Sequence, residues 1–202
     1  KRNPGEDNRR KQLEKAAQLA CEFFQSALKE TSFCLDYCER RGLSPAVRDH
    51  WKLGYSPGEF ALTTHLKKAG IALNDAKDAW LVDGDPQSGY QDKFRERLMF
   101  PIQDDRGKVV AFGGRILTQG NPKYINSGDT PLFSKRNLLY GLYQAKSSIA
   151  EQNRAVLVEG YMDVIACHRA GLTNAVASLG TALSEEQARL LRRWCENVTV
   201  LY

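Results

Sequence analysis

Two carboxylates raise the first chemical expectation. Glu159 stands directly after the apolar run Ala155 to Val158, with Gly160 beside it and Asp163 on the same stretch. If the run is a strand and Gly160 turns the chain into a helix, the two acids lie one helical turn apart. Both then point at one spot beyond the carboxyl end of the strand, where open parallel sheets hold their ligands. Acids so placed suit a divalent cation, or proton transfer during phosphoryl chemistry. The same pair can instead complement the positive end of a helix, and the short string alone does not decide. A second acidic string, Asp83-Gly84-Asp85, is followed by Pro86 and Gly89 and reads as a surface turn.

The cations ahead of Glu159 are more telling. Residues 106 to 136 hold six basic side chains (Arg106, Lys108, Arg115, Lys123, Lys135, Arg136) against one acid, Asp129. That segment's net +5 equals the net charge of the whole chain. Concentrated positive charge predicts a polyanionic partner, with a solvated face as the alternative. Lys93, Arg95 and Arg97 flank an apolar run, and strand alternation puts Arg95 and Arg97 on one face. A salt bridge to a neighbouring acid is the plain reading of Arg97. Arg115 follows the pair Gly113-Gly114, which suggests a bulge or close approach of another backbone. Lys123-Tyr124-Ile125-Asn126 offers a charge, a ring and an amide within one short stretch. Cations bind phosphates, while a ring and an amide can hold a base or ribose; ordinary packing is the other reading of Tyr124.

Such residues need elements to hold them. The chain has 202 residues, 42% hydrophobic and 26% charged, as expected of a soluble globular protein with room for two subdomains. Its apolar runs are strand-length, too short to cross a bilayer, and its polar start carries no secretory h-region. Five scattered cysteines (Cys21, Cys34, Cys38, Cys167, Cys195) argue against a disulfide framework and read as buried thiols of a cytosolic protein. Cys34 and Cys38 can share a helix face, but no second Cys/His pair has zinc-ligand spacing.

Residues 1 to about 90 read as helical. Leu13, Ala17, Ala20, Phe24, Ala27 and Leu28 make one stripe of a helix over about 7–30. Further helices are expected over about 32–41, after Ser44-Pro45, over about 60–69, and at Asn74 as a cap. Ser56-Pro57-Gly58 reads as a turn. From about residue 94 the period changes: Leu98 to Ile102 and Lys108 to Leu117 form a hairpin, and 118–136 an ordered or ligand-facing loop. Strand, helix, strand, helix, strand then follow from Ala155 to Tyr202, with Ser184 and Gln187 as a capping box. That order specifies a parallel α/β unit.

With these motifs in hand, the sequence resembles a known family. Glu159-Gly-Tyr-Met-Asp163-Val-Ile-Ala is similar to the first motif of the Toprim fold. Phe94-Arg-Glu-Arg-Leu-Met-Phe-Pro-Ile102, Gly107-Lys-Val-Val-Ala-Phe-Gly-Gly-Arg115, Pro122-Lys-Tyr-Ile-Asn-Ser127, Thr130-Pro-Leu-Phe-Ser-Lys135, Leu139-Tyr-Gly-Leu142 and Ala175-Val-Ala-Ser-Leu-Gly-Thr181 all resemble bacterial DnaG-type DNA primase. So do Tyr37-Cys-Glu-Arg-Arg-Gly-Leu-Ser44 and Leu53-Gly-Tyr-Ser-Pro57.

The resemblance implies an α+β N-terminal subdomain over 1–150, with helices, an antiparallel hairpin and a basic groove, followed over 151–202 by the incomplete start of an α/β Toprim domain with a parallel sheet. It implies a polymerase core, a nucleotidyltransferase of the DNA-directed RNA polymerase type, that builds short RNA primers on single-stranded DNA from ribonucleoside triphosphates during DNA replication. Matching positions for nucleotide and single-strand binding are Arg41, Lys93, Arg95, Arg115, Lys123, Tyr124, Asn126 and Lys135. Glu159 matches the catalytic acid, and Glu159 with Asp163 matches part of a Mg2+ or Mn2+ site whose other carboxylates are expected beyond Tyr202. Zinc is expected only in an N-terminal ribbon absent from this sequence. The replicative helicase is expected as a partner through an absent C-terminal domain, in a cytoplasmic primosome at the bacterial replication fork. The fragment alone is expected to bind nucleotide or single-stranded DNA without synthesising primers. Two rivals are weighed: another Toprim enzyme (a topoisomerase or nuclease), and a non-catalytic nucleic-acid-binding module. A topoisomerase needs a nucleophilic tyrosine and a cleavage domain, and the Lys-Tyr-Ile-Asn and Gly-Gly-Arg strings speak against it.

Overall fold

The long first helix turns the apolar stripe into a core. In the computed structural model, which describes residues 4–180 and 182–202, α1 spans Pro4–Lys29. Thr181, the last residue of one family motif, therefore lies outside the described residues. Leu13, Ala17, Ala20, Phe24 and Leu28 are all buried, as their spacing requires. Phe24 meets Phe112 edge-on at 5.4 Å between ring centroids. The chain divides into two compact units: residues up to Pro101 with Val109–Leu132, and Ile102–Lys108 with Phe133–Tyr202.

In the first unit, α1 lies against β1 (Gly54–Ser56); of the segment read as a turn only Ser56 is strand, and the chain bends at Gly58. A Cβ on Gly54 would sit 2.4 Å from the Cβ of Phe24, so glycine there sets how closely helix and strand approach. β1 opens a four-stranded sheet of order β1-β4-β5-β6, with β4 at Arg97–Gln103, β5 at Val109–Ile116 and β6 at Tyr124–Asn126. β1 runs antiparallel to β4, and β6 antiparallel to β5. The expected hairpin strands are thus present, while β6 falls in the segment read as loop.

Short helices cover this unit: α2 (Ser32–Arg40), α3 (Pro45–His50), α4 (Ala61–Lys68) and α5 (Leu73–Asp78). Ser44 caps α3 through the amide of Val47, as its type and position predict. Asn74 does not cap α5. It lies inside the helix and accepts a hydrogen bond from the Tyr90 phenol. Asp83 and Asp85 lie on β2 (Val82–Asp85), which pairs with β3 (Gly89–Asp92) around a turn at 86–88; Asp85 opens that turn, its carboxylate accepting from the amides of Gln87 and Ser88 at 2.8 Å each, while Asp83 is inside the strand.

Asp92 joins that hairpin to α4. Its carboxylate accepts from the amides of Leu62 and Thr63 at 2.8 Å each and from the Thr63 hydroxyl at 2.6 Å. An aspartate distant in sequence thereby satisfies amides that a helix start leaves without partners.

The second unit is a parallel sheet of order β8-β7-β9, with β7 at Arg154–Val158, β8 at Ala175–Ala177 and β9 at Asn197–Val200. Both pairings are parallel, as the alternation of elements requires. α7 (Tyr161–Arg169) connects β7 to β8, and α8 (Glu185–Leu191) precedes β9. One further helix, α6 (Leu142–Gln152), buries Leu142, Ala145 and Ile149 in a cluster with Ala155, Leu157, Val176 and Leu191. Among the described residues no helix is long and apolar enough to cross a membrane. Cys21, Cys34, Cys38 and Cys195 are buried and Cys167 is half-buried, all as free thiols.

Asp92→Ala should lower stability by roughly 1–3 kcal/mol, because three buried donors lose their acceptor. Urea denaturation checks this; an unchanged midpoint would remove Asp92 from its role at α4.

Candidate functional site

The geometry around β5 and β6 begins with a buried cation. Arg97, at the start of β4, is 7% exposed. Its Nη1 donates to the carbonyls of Gly114 at 3.2 Å and Pro122 at 3.1 Å, with Lys123 at 3.5 Å. It is therefore not spent on a salt bridge, and burial pulls its pKa below the usual arginine value. Nor does it share a strand face with Arg95, because β4 starts at Arg97 and Glu96 between them has φ +50°. The reason for Gly114 also becomes plain. A Cβ there would lie 2.8 Å from the Phe94 ring and 3.0 Å from Cδ of Arg97. The close approach is by side chains, and β5 runs through the glycine pair unbroken.

That anchoring sets a register. Arg115 pairs with Tyr124, and Gly113 with Asn126. Alternation then puts Arg115, Tyr124 and Asn126 on one face of the sheet. Arg115 Nη1 donates to the Tyr124 phenol at 3.1 Å, and its guanidinium carbon lies 5.6 Å from that ring's centre. A second ring reaches the same cation: Tyr37, on α2, lies 5.1 Å from it. Arg41, at the C-cap of α2, donates through Nε to the Tyr37 phenol at 3.3 Å, with its guanidinium 5.9 Å from the ring centre. The Tyr37 oxygen raises the pKa of Arg41 above its ordinary value, as expected for a hydrogen bond to the charged form.

Arg41, Arg115 and Tyr124 are thus brought together, around Tyr37. Lys123 is exposed at the start of this segment, and Asn126 is half-buried at its end. Tyr37 was legible only as part of a motif; its spacing of one helical turn from Arg41 is the signal that pairs them.

Lys93 and Arg95 have other partners. Lys93 Nζ lies 2.6 Å from an Asp83 carboxylate oxygen and 5.0 Å from the centre of the Trp80 ring. The lysine holds the Asp83 pKa below its ordinary value. Arg95 donates to the Asp92 carbonyl at 3.2 Å and pairs with Glu59 at 3.5 Å. Exposed pairs like the last are worth little energetically.

In the second unit, Lys135 opens a 3-10 turn, Lys135–Asn137. Fully buried Gln187 clamps that turn through the carbonyls of Lys135 at 2.9 Å and Leu138 at 2.8 Å. Ser184 Oγ adds a bond to the Arg136 carbonyl at 2.7 Å. Ser184 and Gln187 also form the expected capping box of α8, so one pair of side chains fixes both the helix start and the backbone of Lys135.

Glu159 ends the β7 run and Asp163 lies in the first turn of α7, both exposed. Gly160 is the N-cap residue between them, and a Cβ on it would lie 3.7 Å from an Asp163 carboxylate oxygen. Buried Tyr161 packs edge-on against Tyr140 at 4.6 Å and seats the start of α7. Two hard oxygen donors beyond the carboxyl end of a strand suit Mg2+ or Mn2+. Among the described residues no group of three or more His, Cys, Asp or Glu side chains is gathered to hold a metal.

Residues 23–146 match the DNA primase catalytic core, N-terminal domain, and residues 153–202 match the Toprim domain. The chain belongs to the DNA primase catalytic core family. It is 45% identical to the DNA primase of Halalkalibacterium halodurans over 91% of this chain and 31% of that protein. The crystal structure of the Aquifex aeolicus primase zinc-binding and RNA polymerase domains superimposes with a TM-score of 0.90 at 37% identity, covering 96% of this chain and 48% of that one. A DnaG primase catalytic domain bound to single-stranded DNA gives a TM-score of 0.86 at 40% identity, covering 97% and 64%. The chain therefore spans about a third of the length of the curated relative.

Arg97→Met should cost about 2–3 kcal/mol, since it strips the buried Gly114 carbonyl and the part-buried Pro122 carbonyl of a charged donor. Thermal denaturation checks this, and a stability within 0.5 kcal/mol (roughly the spread of neutral surface changes) would refute the anchoring role.

Proposed function

We propose that this chain is the nucleic-acid- and nucleotide-holding part of a primase polymerase core, contributing to RNA primer synthesis on single-stranded DNA. The observation that carries this reading is Arg115, whose guanidinium lies over the rings of both Tyr37 and Tyr124, with Arg41 over the Tyr37 ring as well. A guanidinium carries five N–H donors, so one that is held by rings and a phenol oxygen can still present a fork to phosphate oxygens. The single-strand-bound relative supports the choice of partner, and the segment's charge supports a polyanion.

In this reading the template backbone and the incoming ribonucleoside triphosphate are phosphate ligands of Arg41, Arg115 and Lys123, and Lys93, Arg95 and Lys135 are further phosphate ligands on the strength of the family motifs that carry or adjoin them. Tyr124 and Asn126 face a base or ribose. The reaction joins a primer 3′-hydroxyl to the α-phosphate of the nucleotide, releasing pyrophosphate. Glu159 and Asp163 are the donors for Mg2+ or Mn2+, and Glu159 is the group nearest the role of proton acceptor. Bound there, a divalent ion would stabilise charge on the attacking and leaving oxygens. The chain's own task is positioning: cations hold the triphosphate and template, and β7 and the start of α7 hold the two acids at one strand end. Two carboxylates are a small donor set for such an ion, so primer synthesis by these residues alone is not expected. The helicase, the cytoplasmic primosome and the primer–template duplex are partners and setting of this same reading.

Arg115→Ala and Lys123→Ala should each weaken oligonucleotide and nucleotide binding. Each should flatten the salt dependence of single-strand binding by roughly 0.7 log units. Filter binding across a salt series measures both effects. Unchanged affinity in both variants would remove the site, and robust primer synthesis by residues 1–202 would contradict the positioning role assigned to the chain.

A further inference from the structure

The reading above assigns phosphate to the cations and gives the Tyr37 ring no ligand of its own. The ring is half-buried on α2, beside the fully buried Cys34 and Cys38 of the same helix. Its place on the fold is therefore set by the core. Two guanidiniums converge on it. Arg115 comes from β5, with its guanidinium carbon 5.1 Å from the ring centre, and Arg41 from the end of α2, bonded to the phenol oxygen at 3.3 Å. Two cations gathered on one side chain repel each other, and the arrangement needs something to offset that repulsion. An aromatic face does so through its quadrupole, and a phenol oxygen through its lone pairs.

Resting on the proposed phosphate role, we infer that Tyr37 is a positioning residue that gathers Arg41 and Arg115 into a single phosphate clamp. The two arginines come from different elements, and Tyr37 contacts both. Tyr124 also holds Arg115, with its ring centre at 5.6 Å and through the 3.1 Å hydrogen bond, so the guanidinium has two aromatic partners. A side chain so held meets a ligand without first having to be ordered, and pre-ordering raises affinity. The ligand class is a phosphate group of nucleic acid or of a nucleoside triphosphate. Tyr37 itself makes no base contact in this account, so its effect passes entirely through the two cations.

The test uses the full chain with two probes, a fluorescent single-stranded oligothymidylate and ATP. Tyr37→Leu should weaken binding roughly 3- to 30-fold, the range of cation–ring contacts. Its salt dependence should keep the wild-type slope, because no charge is removed, whereas Arg115→Ala flattens it. Tyr37→Phe, which keeps the ring, should recover affinity to within about 3-fold of wild type. With Arg41 and Arg115 both replaced by alanine, adding Tyr37→Leu should change nothing further. A melting curve verifies folding, and Tyr37→Met replaces the leucine variant if that variant does not fold. Weakening with the oligonucleotide alone assigns the clamp to strand phosphates, and with ATP alone to the triphosphate. If Tyr37→Leu binds like wild type while Arg115→Ala binds weakly, the positioning role is wrong and the phosphate site stands. If Tyr37→Leu is equally damaging without the arginines, the ring acts on ligand or fold directly and the inference fails. If neither arginine matters, the phosphate site falls and the clamp with it.

Discussion

The buried guanidinium of Arg97 is the constraint on which the first unit's site depends. Removing a charge from water is costly, and here the cost is offset by hydrogen bonds to backbone carbonyls. Those carbonyls belong to Gly114 on β5 and to the segment entering β6. Pinning them fixes the β5–β6 register, and the register sets Arg115 opposite Tyr124. Gly114 admits Arg97 and Phe94 because it has no side chain. One interior cation thus organises the strand pair that carries Arg115 and Tyr124.

A similar economy holds in the second unit. Gln187 is buried, completes the capping box of α8, and bonds the carbonyls that bracket the Lys135 turn. The parallel strands place Glu159 at the end of β7, where backbone geometry and solvent exposure suit an ion or a substrate. Each unit therefore spends a buried polar side chain on backbone carbonyls, and each presents exposed charged groups on the backbone so ordered.

Much of this was legible in the sequence, for identifiable reasons. The α1 stripe, the Ser44 cap, the Ser184–Gln187 box and the alternation after Ala155 follow from local spacing, and all are present. The misreadings arise where distant residues override local signals. Asp83 looks like part of a turn because Pro86 and Gly89 follow it, yet the turn begins at Asp85 and pairing with β3 makes Asp83 strand. Ser56 looks like a turn residue because Pro57 follows it, yet β4 recruits it into the sheet. Asn74 looks like a cap, but the carboxylate that caps a neighbouring helix comes from Asp92, thirty residues from Leu62. Arg97 looked like half of a salt bridge because no sequence signal marks a carbonyl as a partner. The cations of the site were visible as charge and as family motifs. That Arg41 and Arg115 share Tyr37 depends on packing between α2 and β5, which spacing along the chain does not encode.

The most direct test follows the arginine side chains themselves. Nitrogen-15 NMR of the arginine Nε–H groups, during titration with a single-stranded oligonucleotide, reports each guanidinium separately. Arg115 and Arg41 should shift early and together, while Arg97, bonded to carbonyls inside the protein, should stay in place. Shifts confined to other arginines, with Arg41 and Arg115 unmoved at saturation, would contradict the account.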